Sequence, residues 1–139
     1  HDMERRYPGG PQHDPARHEP GDADYDAEHQ ARSAVIVERW LLEQGSEPRL
    51  AHDVAELVLR HEVGGDARQD LLQAADSLSF LETNTGLVRG WVVKGRCDVE
   101  RAKRQHERMF ERIQVERARE CARPLYERAL ASVGEEEDR

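Results

Sequence analysis

Seven histidines stand in this chain, and three of them are followed directly by aspartate: His1-Asp2, His13-Asp14 and His52-Asp53. Imidazole nitrogen and carboxylate oxygen together form a donor set for divalent transition ions. Mixed donors of this kind suit Mn, Fe, Co, Ni or Zn better than Ca, and do not choose among the five. A bare His-Asp arises readily by chance in such a composition, so context must choose. His13-Asp14 lies among prolines and glycines with little to hold it rigid, whereas ligands need fixed geometry. His52 and Asp53 fall in the expected first turn of a helix, where Asp53 reads as favourable charge near the positive helix end. His1-Asp2 remains.

A stronger signal is LVLRHEVGGDARQDLLQAADSLSFLE, residues 57–82. Here His61 is expected to end one helix on its apolar face, and Asp76 to lie mid-helix in the next, between Ala75 and Leu78. A carboxylate on a core-facing surface is costly unless it is paired or metal-bound. Each residue alone has a plainer reading: His61 as a satisfied core or helix-capping histidine, Asp76 as an exposed helix residue. Together with His29, on the apolar stripe of a further helix, they favour a metal.

The elements that must position these residues are helical. Residues 7–24, YPGGPQHDPARHEPGDAD, carry four prolines and three glycines and predict a loop. The pattern then predicts a helix over 26–44, with His29, Ser33, Ile36 and Trp40 on one face and Gly45 as its stop. A second helix is expected over about 48–62, followed by a break at Gly64-Gly65. Asp66 with Gln69 fits a capping box for a third, about 67–82, with Leu71, Leu72, Ala75, Leu78 and Phe80 as its apolar positions. GLVRGWVVKG, 86–95, is open between turn, short strand and poor helix. Asp98 caps a long helix over about 99–133, with Ala102, His106, Met109, Ile113 and Ala118 inward and a kink or split at Pro124. No segment alternates as a strand, so the class is all-α. One domain is expected over 1–133, and an acidic tail over 134–139.

Composition sets the limits. Of 139 residues, 37% are hydrophobic and 36% charged, which leaves a thin core that a metal, a partner or further chain would assist. The formal charge of −8 argues against general nucleic-acid binding, yet leaves room for a small anionic substrate met by local arginines. Cys97 and Cys121 read as free thiols of a reducing compartment, so a cytoplasmic location is expected. LVRGWVV is too short and charged to span a membrane, and no membrane partner is expected. Neither a phosphate-binding GxxxxGK[ST] loop nor a nucleophile elbow occurs.

The series His1-Asp2, His29, RHEVGGD with His61, and LLQAADSLSFLE with Asp76 resembles the HD-domain superfamily of metal-dependent phosphohydrolases, in particular a bacterial branch with HEVGGD-type and ADSLSF-type segments. The resemblance covers residues 1–82 directly. It implies an HD-domain-like helical bundle that is N-terminally truncated, because the family's first ligand is a histidine upstream of the signature dipeptide. It implies one ion on that missing histidine, His1, Asp2 and Asp76, and a second on Asp2, His29 and His61. Water between two such ions would lose a proton near neutral pH and attack phosphorus.

The activity implied is hydrolysis of a small phosphate compound, possibly a nucleotide, with this chain inactive if it is a fragment. Arg5, just after the dipeptide, and Lys103 and Arg112, on the last helix, are the candidate phosphate-binding cations. Lys103 rests on the resemblance alone. Glu4 is a candidate general base, or a partner that orients a ligand. The alternatives are a non-catalytic helical interaction module, possibly oligomeric, and a di-iron oxygenase.

Overall fold

A computed structural model describes residues 1–134. Among the described residues the chain is all-α, with six helices and no strand. The helices are α1 (Ala23–Glu43), α2 (Pro48–Leu59), α3 (Ala67–Thr83), α4 (Thr85–Val93), α5 (Val99–Glu111) and α6 (Glu116–Gly134), preceded by a 3-10 turn over Met3–Arg6. None of them is long and apolar enough to cross a membrane. The chain divides into two compact units. The first holds His1–His13 and Asp22–Leu72; the second holds Asp14–Gly21 and the chain from Gln73 onward.

The first unit is built on α1 and α2. Asp22 caps α1, its carboxylate accepting from the Tyr25 amide at 2.9 Å, and Asp24 and Asp26 add negative charge to the first turn. Ala34 and Val37 of α1 meet Ala55 and Val58 of α2, with Met3, Leu41 and Val54 packed alongside. Small side chains at the centre of this contact let the two helices approach closely. Along α1 the inward stripe is His29, Ser33 and Ile36 as the periodicity predicts, but Trp40 is 41% exposed. α2 ends at Leu59, so His61 stands in the turn beyond the helix rather than at its end, and Asp53 lies past the first turn. Gly64 and Gly65, at φ of 69° and 144°, carry the chain from that turn into α3. There the expected capping box is formed. The Asp66 carboxylate accepts from the amides of Arg68 and Gln69, both at 2.9 Å, and the Gln69 side chain accepts from the Asp66 amide at 3.1 Å.

The second unit packs α3, α5 and α6 around Ala74, Leu81, Met109, Phe110, Ile113, Ala122 and Ala129. A smaller cluster joins Val88 of α4, Ala102 of α5 and Val133 of α6. Two expectations are corrected here, and one left open is settled. The inward face of α3 is Gln73, Ala74, Ser77 and Leu81, not the Leu71–Ala75 register; Leu71 is 61% exposed. Two of the inward residues are polar, so a hydrophobicity pattern misses the face. Residues 85–93 form a helix. The long helix over 99–133 is two helices, parted at 112–115, while Pro124 lies exposed inside α6. The reversal brings Phe110 and Ile113 against α6, where Phe110 stacks on Tyr126 at 4.6 Å; one straight helix could not fold back on itself. Asp98 caps α5 as expected, accepting from the Arg101 amide at 2.7 Å. Gly134 belongs to α6, and the rest of the expected tail, 135–139, lies outside the described residues.

Candidate metal centre

Five side chains of the first unit converge: His1 and Asp2 before the 3-10 turn, His29 on α1, and His61 and Glu62 in the turn after α2. Two ligand sets can be drawn among them, His1 with Asp2 and His61, and His29 with His61 and Glu62. His61 is common to both. The His61 ring lies 4.9 Å from that of His1 and 5.2 Å from that of His29.

The two central histidines are fully buried, and each is fixed from behind. The Nδ1 of His61 is 2.6 Å from the Val58 carbonyl oxygen. A carbonyl can only accept, so Nδ1 carries the proton and Nε2 keeps its lone pair. The Nδ1 of His29 likewise meets Oε1 of Glu4 at 2.9 Å. Both Nε2 atoms are buried with no hydrogen-bond partner. Each points at a carboxylate: His29 Nε2 lies 3.2 Å from Asp2 Oδ1, and His61 Nε2 lies 3.4 Å from Glu62 Oε1. Lone pairs facing lone pairs in a buried site repel. A proton or a cation between them turns each repulsion into an attraction, and the mixed nitrogen and oxygen set suits a divalent transition ion. The residues therefore fit the metal that the sequence pattern implies.

The electrostatics agree. Burial alone would push the His29 ring toward its neutral form, but the Asp2 and Glu4 carboxylates outweigh it and raise its pKa above 6.5. For Asp2, burial would raise the pKa, and the His29 contact with the Arg5 and His1 charges brings it below the usual carboxylate value instead. The site thus holds a carboxylate anion and attracts positive charge.

Behind the ligands a second layer fixes them. Glu4 is 1% exposed; Arg32 of α1 approaches its other oxygen at 3.7 Å and also donates to the Pro8 carbonyl at 2.7 Å. A Cβ at Gly10 would collide with that same Glu4 oxygen, so the YPGG stretch lies directly over the carboxylate and only glycine fits there. Tyr25 lies parallel to the His29 ring at 5.9 Å. Gln30 accepts from the Glu62 amide at 3.0 Å and so holds the His61-Glu62 turn against α1.

The structure thus brings together His1, Asp2, His29 and His61, and sets Glu4 behind His29 as an orienting partner. Arg5 lies beside the centre, 3.3 Å from Asp2. Glu62 and Gln30 were not singled out from sequence. Glu62 was visible as the acid next to His61 in RHEVGGD; Gln30 gave no signal, since its role depends on the turn it meets. The other candidates belong to the second unit. The Asp76 carboxylate accepts from the Arg112 guanidinium, which also donates to Ser77 at 2.7 Å, and Lys103 pairs with Glu100 at 3.0 Å. Of the other His-Asp pairs, His52 pairs with Glu38 at the surface, and Asp14 accepts from Arg96.

Compared with known proteins, the chain matches no family model, no curated protein and no solved structure.

Proposed function

We propose that the first unit is the metal centre of a phosphohydrolase or phosphodiesterase acting on a small phosphate compound. One observation carries this reading. Two fully buried histidines, each with Nδ1 committed to an acceptor, turn unpartnered Nε2 atoms toward the Asp2 and Glu62 carboxylates. His1, Asp2, His29, His61 and Glu62 are the proposed ligands of one or two divalent transition ions. Bound there, such ions would lower the pKa of a water nucleophile and neutralise charge on the phosphoryl oxygens.

The chain's own residues do the rest. Glu4 keeps the proton of His29 on Nδ1, and the Val58 carbonyl does the same for His61, so both rings present lone pairs. Gln30 fixes the turn that carries His61 and Glu62. Arg5, half exposed beside Asp2, supplies a guanidinium whose fork matches phosphate oxygens. The resemblance to HD-domain hydrolases adds the reaction class.

Elemental mass spectrometry after loading with Mn, Fe or Zn and gel filtration tests the centre. Roughly one or two ions per chain, removable by chelator and lost in His61→Ala, are expected. Equal metal content in a His29→Ala/His61→Ala double variant would dismiss the centre. A panel of phosphate esters offered to the loaded protein then tests the reaction.

A further inference from the structure

The second unit carries a row of arginines that the metal centre does not use. Arg101, Arg104 and Arg108 of α5 and Arg112, which caps its C-terminus, follow one another at spacings of three, four and four, and so share one face over roughly 16 Å. Like charges at these spacings repel, and on a chain of net charge −8 such a row needs anions against it. One is internal. The Glu19 carboxylate, on the segment Asp14–Gly21, is held by Arg101 through one oxygen and by Arg104 at 3.3 Å through the other. Arg101, with Arg104, keeps that carboxyl below its usual pKa although Glu19 is half exposed. Arg101 also donates to the carbonyls of Pro15 and Ala16 at 2.9 and 3.1 Å, which straps the segment along the helix.

Beside this contact runs a groove of about 500 Å³, lined by Glu19, Pro20, Arg104, Arg108, Arg112 and the acids Glu107 and Glu111. Its size is that of a small-molecule site. The guanidiniums of Arg104, Arg108 and Arg112 line it, that of Arg112 already bound to Asp76 and Ser77, and the exposed Glu19 carboxylate sits at its rim. We infer that this groove binds the phosphate or diphosphate group of a small molecule, with the Glu19 carboxylate holding the place of that group in the free protein. Arginine forks suit phosphate oxygens, and a dianion outcompetes a single carboxylate for them. Glu107 and Glu111 in the lining would repel an extended polyanion, which favours a small ligand over a nucleic acid.

Isothermal titration calorimetry with inorganic pyrophosphate, in chelator so that no metal takes part, tests the inference. Wild-type protein should bind. Arg104→Gln/Arg108→Gln should weaken binding by about tenfold or more. Glu19→Gln, which removes the internal competitor, should tighten it by about threefold or more. His61→Ala, in the first unit, should bind as wild type does. The inference fails if neither wild type nor Glu19→Gln binds pyrophosphate, or if Glu19→Gln binds more weakly than wild type. It also fails if the arginine variants bind unchanged, or if a single-stranded oligonucleotide binds more tightly than pyrophosphate.

Discussion

The histidine ring with one nitrogen tied and one nitrogen bare is the unit from which the candidate site is made. Tautomer control is what turns His29 and His61 from core residues into directed donors, and it comes from acceptors on the far side of each ring. Glu4 is the sharper case, because its carboxylate is buried and backed by Arg32 and the Gly10 backbone. Glu4→Gln keeps the shape and removes the charge. It should weaken metal binding by about 10- to 100-fold while leaving the far-ultraviolet circular dichroism unchanged. Metal titration of the two proteins side by side measures this, and equal affinities would remove Glu4 from the centre. Sequence reasoning named Glu4 next to the dipeptide but could not separate a base from an orienting partner. That choice depends on which ring atom it faces.

At the scale of elements, caps and breaks were largely legible because they are local. Asp98 and the Asp66–Gln69 box involve residues within one turn of each other, so side-chain chemistry at fixed offsets reports them directly; the Asp22 cap fell inside the expected loop and was missed. The box sits where α3 begins, after the turn that carries His61 and Glu62. Asp66→Ala leaves two amides of the first turn without their acceptor and should cost about 1 kcal/mol, read as a lower denaturant midpoint at unchanged slope. An unchanged midpoint would show that water replaces the cap fully. The division of 99–133 into α5 and α6 was not legible, because Pro124 is the louder local signal. What decides the break is the burial of Phe110 and Ile113 against a helix that follows them in sequence. The inward face of α3 failed for a related reason: Gln73 and Ser77 are buried polar groups, and hydrophobic periodicity cannot count them.

For the molecule as a whole, pH is the informative variable. His106 of α5 is fully buried against the edge of Phe80, and neither ring nitrogen has a hydrogen-bond partner. Burial lowers its pKa from 6.5 to about 4. Between those values the unfolded chain takes a proton that the folded chain refuses, so stability falls as pH falls from 6.5 and the loss is complete near 4. The loss attributable to this residue is about 3 kcal/mol at most, and nothing is lost above 6.5. Denaturant titrations at pH 7 and 4.5, on wild type and His106→Leu, check this. The variant should show the smaller drop; an equal drop would assign the acid sensitivity elsewhere.

Sequence alone determined that the chain is helical, where α2, α3 and α5 start, and which residue types could ligate a metal. Those properties are set by spacing along the backbone and by donor chemistry. Only the tertiary structure decided which donors meet. His1 and Asp2, His29, and His61 with Glu62 come from three separate stretches, and they converge because α1 packs on α2 through Ala34, Val37, Ala55 and Val58. The same packing settles which ring nitrogens are bare and brings in Glu62 and Gln30. Convergence is a property of packed surfaces, and a linear pattern holds the parts of such a site without the distances between them.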